Sequence, residues 1–411
     1  MKIAIVDGYS TGAALAARLH SLGHECVHIQ SRPEVNPYLA RAFRAEHYAH
    51  DLGFAPDTTR LTTWLRRNGV ARVVAGSESG VTLAESVSLA LGLPTNSAAR
   101  LRARRDKALM ASAVRIAGLA TPHGTVARSA AEAAAWFTAS KLAEAVVKPL
   151  ASAGTDNVTF CQTPQEVAQA SQKVLASRTA FGEPNSAVLV QEVVHGTEFY
   201  INSVSAGGVH RIAEIWRYTK RRGLTSSTPI YDFEEPVPAS GREGQLLRAF
   251  VFSVLEALGI TETPAHTEVM LTSDGPVLIE TGARLGGATA PHIVERFCGI
   301  SQTSLAATAL INPMSLLSFN DSQVQCAGTL RCVELINHFH GPANTSAATK
   351  IEELPTAVFV ASAAEPGSLL EPTTDLLSSP GYAYLAADIH SQVVRDYDAL
   401  RAWESEGLHT T

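Results

Sequence analysis

Two glutamates near the middle of the chain, Glu268 and Glu280, are spaced so that they can share one metal ion. Glu268, Met270 and Thr272 alternate with Val269 and Leu271, the two-residue period of a strand, and residues 277–279 predict a short buried strand. The turn-forming residues 273–276 predict a hairpin that brings both carboxylates to one end of a sheet. Close carboxylates repel each other unless a cation lies between them, and Mg²⁺, which prefers oxygen ligands, fits that place.

A loop of small residues follows the second strand and contains Arg284. Residues 281–287, T-G-A-R-L-G-G, allow the backbone and a guanidinium group to approach an anion closely. Two carboxylates, one fixed positive charge and a glycine loop together indicate phosphate chemistry. Taken alone, this stretch is equally compatible with a surface hairpin that carries two solvated glutamates.

Two lysines upstream are candidates to hold phosphates. Lys148 lies near the end of a predicted strand at 145–149, and the small residues 151–155 that follow resemble a flap whose N–H groups can wrap an anion. Lys107 lies at the start of a predicted helix and either reaches a phosphate or remains solvated. The sequence has no G-x-x-x-x-G-K-[ST] motif, which excludes a P-loop protein.

Two glutamates in turns are candidates for ligand binding. Glu198 follows a bend after a predicted strand at 187–194, where a carboxylate can accept hydrogen bonds from both ribose hydroxyls. Glu78 lies in a glycine turn at the carboxyl end of a predicted strand, where ligand crevices form. The alternatives are a hairpin charge for Glu198 and a helix cap for Glu78.

Three further substrate candidates come after a predicted polar loop at 217–229. Asp232 and Glu234 follow it and, with Glu78, are candidates to hold an ammonium group. His266 precedes the first metal-ligand candidate and either lines the pocket or packs beside the strand.

The chain begins with a βαβ pattern, in which predicted strands at 2–6 and 25–29 flank a helix at 13–21. Its glycines, Gly8 and Gly12, do not form G-x-G-x-x-G, and no acid for a ribose follows the second strand. We therefore predict a doubly wound domain without a bound dinucleotide.

Composition excludes several classes of protein. The chain has 411 residues, of which 45% are hydrophobic, so it can form more than one core. A net charge of -6 argues against a nucleic-acid-binding protein driven by a basic surface. Five scattered cysteines without C-x-x-C spacing predict neither a disulfide nor a zinc site. We find no signal peptide and no membrane-spanning run, and expect a cytoplasmic protein.

The order of these pieces resembles the ATP-grasp superfamily over residues 107–287. The shared pattern is a lysine, a strand lysine with a flap, a hinge followed by G-x-E, then Glu and Glu-x-x-x-Arg. Residues 214–218, 265–268 and 279–287 are similar to the L-amino acid ligases, which make dipeptides. The resemblance implies an α/β ATP-grasp fold in four parts: a Rossmann-like N-terminal domain (1–96), a linker helix and mobile lid (97–192), a catalytic part with the metal site (193–315) and a small C-terminal α+β domain (316–411).

The resemblance also implies a role for individual residues of this sequence. These are phosphate binding by Lys107 and Lys148, a flap formed by Ser152, Gly154 and Thr155, adenine contact by Glu192 and Val194, ribose contact by Glu198, metal binding by Glu268 and Glu280, and stabilisation of the acyl phosphate and tetrahedral intermediate by Arg284.

The same likeness places the glycine loop at the substrate. Gly286 and Gly287 would line the pocket, and Ala288 would lie near the first side chain, where its small size leaves room for a larger one. One position departs from the superfamily pattern. Many members have a metal-binding Asn two residues after the second glutamate, where this chain has Gly282. The L-amino acid ligases share this departure, so we expect fewer protein ligands for the metal.

The activity implied is the ATP-dependent joining of an amino acid carboxylate to the amine of a second amino acid. An acyl phosphate forms first, and ADP and phosphate are released. The ligands would be ATP, Mg²⁺ or alternatively Mn²⁺, and two amino acids as small-molecule substrates. Neither nucleic acid nor membrane is expected as a partner, and a homodimer is expected. The alternatives are an ATP-grasp carboxylase or purine-pathway ligase, and a regulatory protein that binds nucleotide without catalysis.

Overall fold

Three large sheets form the framework of the protein. A computed structural model describes residues 1–35, 40–152, 156–223, 229–365, 367–376 and 378–411. One sheet is parallel and four-stranded, one is antiparallel and four-stranded, and the third has eight strands. The predicted α/β fold is confirmed. Across the described ranges, no helix is both long and apolar enough to cross a bilayer.

The N-terminal region is a doubly wound unit, as predicted. Its elements are β1 (Lys2–Val6), α1 (Thr11–Ser21), β2 (Glu25–Gln30), β3 (His50–Phe54), α2 (Thr58–Arg67), β4 (Val70–Ala75) and α3 (Val81–Leu91). The parallel sheet has the order β3-β2-β1-β4. Ile3 and Ile5 pack toward α1, while Ala4 and Val6 pack toward α2 and α3, because successive strand residues face opposite sides.

The second sheet carries one of the predicted phosphate lysines. Its elements, with the preceding helix, are α4 (Lys107–Ile116), β5 (Gly124–Ala127), α5 (Ala130–Ser140), β6 (Ala145–Pro149), β7 (Thr159–Cys161), α6 (Pro164–Ala176) and β8 (Val188–Glu192). The strand order is β5-β8-β6-β7. Ala145 and Val147 point into the core under α5 and α6, so the side chain of Lys148 points to the opposite face.

The central region supplies most of the large sheet. Its elements are β9 (Thr197–Ala206), β10 (Val209–Arg222), β11 (Pro229–Pro236), α7 (Arg242–Ala257), β12 (Pro264–Thr272), β13 (Gly275–Gly282), α8 (Pro291–Cys298), α9 (Gln302–Ile311) and α10 (Ser315–Ser318). The loop predicted at 217–229 is wrong for residues 217–222, which continue β10 and pair with β11. Cross-strand charge explains this, since Arg217 lies opposite Glu235 on β11.

The elements of the C-terminal region are β14 (Thr329–Glu334), β15 (Gly341–Pro342), α11 (Ala347–Glu352), β16 (Ala357–Ser362), β17 (Leu369–Leu370), β18 (Gly381–Ala387) and α12 (His390–Ser405). Three strands of this region, β14, β16 and β18, join the large sheet, while β15 and β17 pair as a separate two-stranded sheet. The sheet order is β13-β12-β9-β10-β11-β14-β18-β16. The metal-ligand hairpin therefore forms one edge, and the C-terminal strands form the other.

A disulfide joins Cys298 and Cys326, so the prediction that the cysteines form no disulfide is wrong for this pair. The two lie 28 residues apart, a spacing that carries no motif. The backbone beside them is also hydrogen-bonded, since the N–H of Ala327 donates to the carbonyl of Phe297 at 2.9 Å.

A buried ion pair connects the N-terminal domain to the region that follows it. The side chains of Arg104 and Glu85 are 0% and 3% exposed. Arg104 Nε donates to Glu85 Oε1 at 2.8 Å, and Asn96 Nδ2 donates to the same oxygen at 2.8 Å. Arg104 Nη1 also donates to the carbonyl of Leu258, at the end of α7.

We expect Arg104→Met to lower the free energy of unfolding by about 3–5 kcal/mol, because it leaves the carboxylate of Glu85 buried without its cation. Urea unfolding would measure the loss. The double variant Glu85→Leu/Arg104→Met should recover much of it, and Arg100→Met, in the same segment, is the matched control. A loss below about 1 kcal/mol, the size of an exposed pair, would contradict this role.

Candidate active site

Glu268 and Glu280 are directly opposite each other on β12 and β13. Opposite residues of an antiparallel pair point to the same face of the sheet. The two carboxylates therefore lie side by side, as predicted from the sequence of the hairpin. Burial raises the pKa of Glu268, but His266 and more distant cations outweigh it and hold this pKa below its usual range. The Nε2 atom of His266 lies 3.6 Å from Glu268 Oε1.

Two lysines face this pair. Lys107, the first residue of α4, donates from Nζ to Glu280 Oε1 at 2.8 Å and to the carbonyl of Ser152 at 3.1 Å. The side chain of Asp106 caps this helix and fixes its start. Burial and the positive charge of Lys107 lower the pKa of Lys148 to about 8, against the raising effect of Glu280 and Glu268. The two lysines therefore concentrate positive charge where phosphates are expected.

Arg284 is held by a carboxylate from the N-terminal domain. Its Nε donates to Glu78 Oε2 at 2.7 Å, and Arg105 donates to the other oxygen, Oε1. Burial raises the pKa of Glu78, but Arg105 and Arg284 outweigh burial and leave it at about 2. Both oxygens of Glu78 are thus occupied by arginines, an arrangement that orients Arg284 rather than holding a substrate ammonium.

The same carboxylate accounts for Gly282. A Cβ atom at this position would lie 2.6 Å from Glu78 Oε2, closer than real contacts allow. The space that an Asn side chain would need is therefore taken by Glu78. Any metal bound at Glu268 and Glu280 would have no side-chain ligand from position 282.

A buried polar network fixes His266 and the glycine loop. His266 Nδ1 lies 2.8 Å from Asn202 Oδ1, while Asn202 Nδ2 donates to Glu214. Because the amide nitrogen of Asn202 is committed to Glu214, its Oδ1 is the atom that faces His266 Nδ1, and the Nε2 atom of His266 faces Glu268. Gln302 Oε1 accepts from the N–H of Gly286 at 2.8 Å. A Cβ at Gly286 would lie 2.9 Å from Asn202 Oδ1, so a side chain at this position would push Asn202 away from His266.

Aromatic rings extend the same face of the sheet toward the C-terminal strands. The hydroxyl of Tyr200 donates to Glu234 Oε2 at 2.7 Å, and burial raises the pKa of Glu234 to about 7. Lys220 Nζ lies 4.5 Å from the ring centroid of Tyr231 and pairs with Glu198 at 2.8 Å. Carboxylates and aromatic faces together suit an ammonium group.

Asp232 lies on the other side of the sheet. A β-bulge at Asp232 turns its side chain away from the face that carries Glu234. Its carboxylate accepts from the Tyr397 hydroxyl at 2.8 Å and from Arg401 at 2.7 Å, both on α12. The structure therefore places Asp232 in the packing of the C-terminal helix, apart from the other candidates.

The remaining candidates occupy loops around the centre. Glu192 ends β8, and its carboxylate accepts from the N–H of His123 at 2.8 Å. Val194 lies in the short connection between β8 and β9. Ala288 has a φ of 51°, unusual for a residue with a side chain. Gly287 is exposed, and Gly154 and Thr155 of the predicted flap lie outside the described residues.

Sequence reasoning missed several residues of this site. Arg105 was not singled out, although it lies two positions before Lys107, and Lys220 was assigned to a loop. Asn202 and Gln302 carry no motif, because their roles depend on contacts between distant strands and helices. The run of basic residues at 100–107 was the feature of the sequence that could have indicated a role for Arg105.

The two cross-strand carboxylates fit a hard divalent ion. Within the ranges that the structure describes, no group of three or more His, Cys, Asp or Glu side chains is arranged for a metal. Mg²⁺ is usually held by one or two carboxylates together with water and substrate phosphates. Lys107 Nζ, 2.8 Å from Glu280, already places a cation at this position.

Comparison with known proteins gives consistent findings. Residues 142–292 match the ATP-grasp domain family. The chain is 32% identical to dapdiamide A synthase of Enterobacter agglomerans, over 99% of this chain and 96% of that protein. The structure resembles an L-amino acid ligase from Bacillus licheniformis, with a TM-score of 0.77, 18% identity and coverage of 98% of this chain and 97% of the other. It also resembles a carboxyaminoimidazole ribonucleotide synthase from Aspergillus clavatus complexed with ATP, with a TM-score of 0.72, 13% identity and 98% coverage of each chain.

We expect Glu78→Gln to lower the free energy of unfolding near neutral pH by roughly 3 kcal/mol. This is the energy that corresponds to the lowering of the Glu78 pKa from 4.5 to about 2 in the folded protein. Because the folded-state pKa is depressed, this stabilisation is present above pH 4.5 and is lost as the pH falls toward 2. Denaturant unfolding from pH 7 to pH 2.5 should therefore show the two proteins converging. The exposed Glu243→Gln is the control, and a difference independent of pH would contradict the ion-pair explanation.

Proposed function

The chain belongs to the ATP-grasp superfamily, and we propose that it is an ATP-dependent carboxylate–amine ligase that joins two amino acids through an acyl phosphate. The observation that carries this proposal is the opposed pair Glu268 and Glu280, with Lys107 2.8 Å from one of them. The likeness to a dapdiamide A synthase and to an L-amino acid ligase supports amide formation.

The first step is phosphoryl transfer from ATP to a substrate carboxylate. Lys107 and Lys148 hold the phosphates, and Arg284, oriented by Glu78, stabilises the negative charge that develops on the acyl phosphate. Glu268 and Glu280 would hold Mg²⁺, which when bound neutralises phosphate charge. The roles of the flap, of Glu192 and Val194 at adenine and of Glu198 at ribose are part of the same proposal.

The second step is attack of an amine on the acyl phosphate. The amine nitrogen forms the amide bond, phosphate leaves, and the amine loses a proton. A carboxylate does not react with an amine directly, so ATP supplies the leaving group. Glu234 and the tyrosine rings beside it form the polar and aromatic surface that suits an amino acid ammonium group.

The activity is tested by phosphate release from ATP and Mg²⁺ with pooled amino acids, with bicarbonate, and with neither. We expect release that depends on amino acids, together with a new amide detected by mass spectrometry. Release that depends on bicarbonate would favour a carboxylase. Tight ATP binding without release in any mixture would favour a regulatory binding protein and overturn the ligase.

The metal assignment predicts that Glu280→Gln loses activity without losing the fold. Turnover should fall on the order of 100-fold or more, because charge neutralisation at a transferred phosphate is worth several kcal/mol. Circular dichroism and the unfolding midpoint should stay near the wild-type values. Asp274→Asn, at the exposed turn of the same hairpin, should keep full activity. A fully active Glu280→Gln variant would remove Glu280 from the metal site.

A further inference from the structure

A buried carboxylate lies where the first strand of the N-terminal domain ends. Asp7 directly follows β1 and is 2% exposed. The hydroxyl of Ser31, after β2, and the hydroxyl of Ser79, after β4, both donate to Asp7 Oδ2 at 2.5 Å. The N–H of Ser31 donates to Asp7 Oδ1 at 2.7 Å. We call Asp7, Ser31 and Ser79 the aspartate clamp, because the side chain of Asp7 joins the carboxyl ends of three strands.

Glycines bring the turn after β1 into contact with the turn after β4. A Cβ atom added at Gly12 would lie 2.5 Å from the Cα of Gly76, and one added at Gly76 would lie 2.6 Å from the carbonyl oxygen of Asp7. Neither distance leaves room for a side chain. The N–H of Gly76 also donates to the carbonyl of Val6 at 2.7 Å. The two turns are therefore packed backbone against backbone, and the aspartate clamp joins them a second time through side chains.

The turn after β4 carries Glu78, the carboxylate that orients Arg284. Ser79 is the next residue in the chain, so its hydrogen bond to Asp7 fixes the backbone from which the side chain of Glu78 extends. Ser77, on the other side of Glu78, has its hydroxyl 3.1 Å from that of Ser79. Glu78 in turn accepts from Arg284 Nε at 2.7 Å. A path of direct contacts thus leads from Asp7 to Arg284.

The turn after β1 reaches the glycine loop as well. A Cβ atom added at Gly287 would lie 3.8 Å from Ser10 Oγ, the distance of an ordinary van der Waals contact. Among the residues that the structure describes, five that are not glycine have a positive φ. Three of these lie in the two segments that meet here: Asp7 at 55°, Ser10 at 51° and Ala288 at 51°. Such conformations persist where surrounding contacts impose them, and they concentrate at functional sites.

We propose that Asp7 is a positioning residue, which sets Arg284 and the glycine loop relative to each other. This inference rests on the proposed ligase function, in which Arg284 stabilises negative charge on the acyl phosphate. A displaced Arg284 would stabilise the transition state less and would therefore lower kcat. Lys107 and Lys148, which are proposed to hold the phosphates of ATP, lie on α4 and β6. KM for ATP should therefore not depend on Asp7.

The first test compares Ser79→Ala with Ser31→Ala in the full-length protein. Each variant removes one hydroxyl that donates to Asp7 Oδ2, but only Ser79 adjoins Glu78. We expect Ser79→Ala to lower kcat for amide formation about tenfold, the loss that corresponds to one hydrogen bond to a charged group, with KM for ATP and for the amino acids unchanged. Ser31→Ala should keep kcat near the wild-type value, because the N–H of Ser31 still holds Asp7 Oδ1.

Three outcomes of this comparison would overturn the inference. One is a wild-type kcat for Ser79→Ala, and another is an equal loss of kcat in both variants. The third is a change confined to KM for an amino acid, which would make Ser79 a substrate contact rather than a link to Arg284.

Asp7→Asn tests the carboxylate itself. Asn adopts the same left-handed backbone, but its side chain has one oxygen in place of the two that accept hydrogen bonds in the clamp. It should lower kcat at least as much as Ser79→Ala does. The matched control is Asp57→Asn, in the same domain, where Asp57 caps α2 and Asn is an equally good cap. If wild type makes amide and Asp7→Asn keeps its kcat, the inference is overturned while the ligase proposal stands.

Unfolding by urea at pH 7 gives a readout that does not require ligation. Glu78→Gln changes the equilibrium constant of unfolding, and this change should be at least about threefold smaller in the Ser79→Ala background, because a displaced Glu78 pairs less well with its arginines. In the Ser31→Ala background it should be the same as in wild type. Equal changes in all three backgrounds would overturn the link between Asp7 and Glu78. A wild type that makes no amide would overturn the ligase proposal, and this cycle would still decide whether the clamp positions Glu78.

Discussion

The site depends on two carboxylates that the sheet forces to be neighbours. Because Glu268 and Glu280 are directly opposed across β12 and β13, their mutual repulsion is built into the hairpin register. Positive groups arrive from two directions to offset it: Lys107 from α4 and Lys148 from the second sheet. The imidazole of His266, on β12 itself, lies 3.6 Å from Glu268. Each of these elements must be correctly placed for the pair to persist.

Behind this pair, polar contacts orient the groups that face the ligand. Glu78 restrains Arg284 from the N-terminal domain, and Gln302 restrains the glycine loop from α9. Such buried networks fix a geometry when every member is satisfied. Gly282 and Gly286 leave room for these contacts, because side chains at the two positions would displace Glu78 or Asn202.

Local pattern and spacing were sufficient for much of the fold and for the central pair. The βαβ opening, the strand with Lys148 and the hairpin with Glu268 and Glu280 all follow from periodicity and turn chemistry, which are properties of neighbouring residues. The family resemblance, based on the order of motifs, agrees with the comparisons. The proposed roles at adenine, ribose and the metal remain predictions.

What could not be predicted depends on irregular or distant contacts. A single extra residue in β11 turns Asp232 away from the face that carries Glu234, and alternation alone cannot reveal a bulge. Residues 217–222 looked like a loop because they are polar and basic, and the acidic partners of Arg217 and Lys220 lie on neighbouring strands. Glu78 was expected at the substrate, yet its partners Arg105 and Arg284 come from segments far apart in the chain. The Cys298–Cys326 pair likewise arises from tertiary packing.

The continuous eight-stranded sheet has a consequence for how the protein is synthesised. In the final order, β18 lies between β14 and β16, so β14 keeps an unpaired edge until residue 387 has left the ribosome. An exposed edge of this kind can pair with another nascent chain. The edge of β14 is therefore open to such pairing for as long as the segment from β14 to β18 is being synthesised.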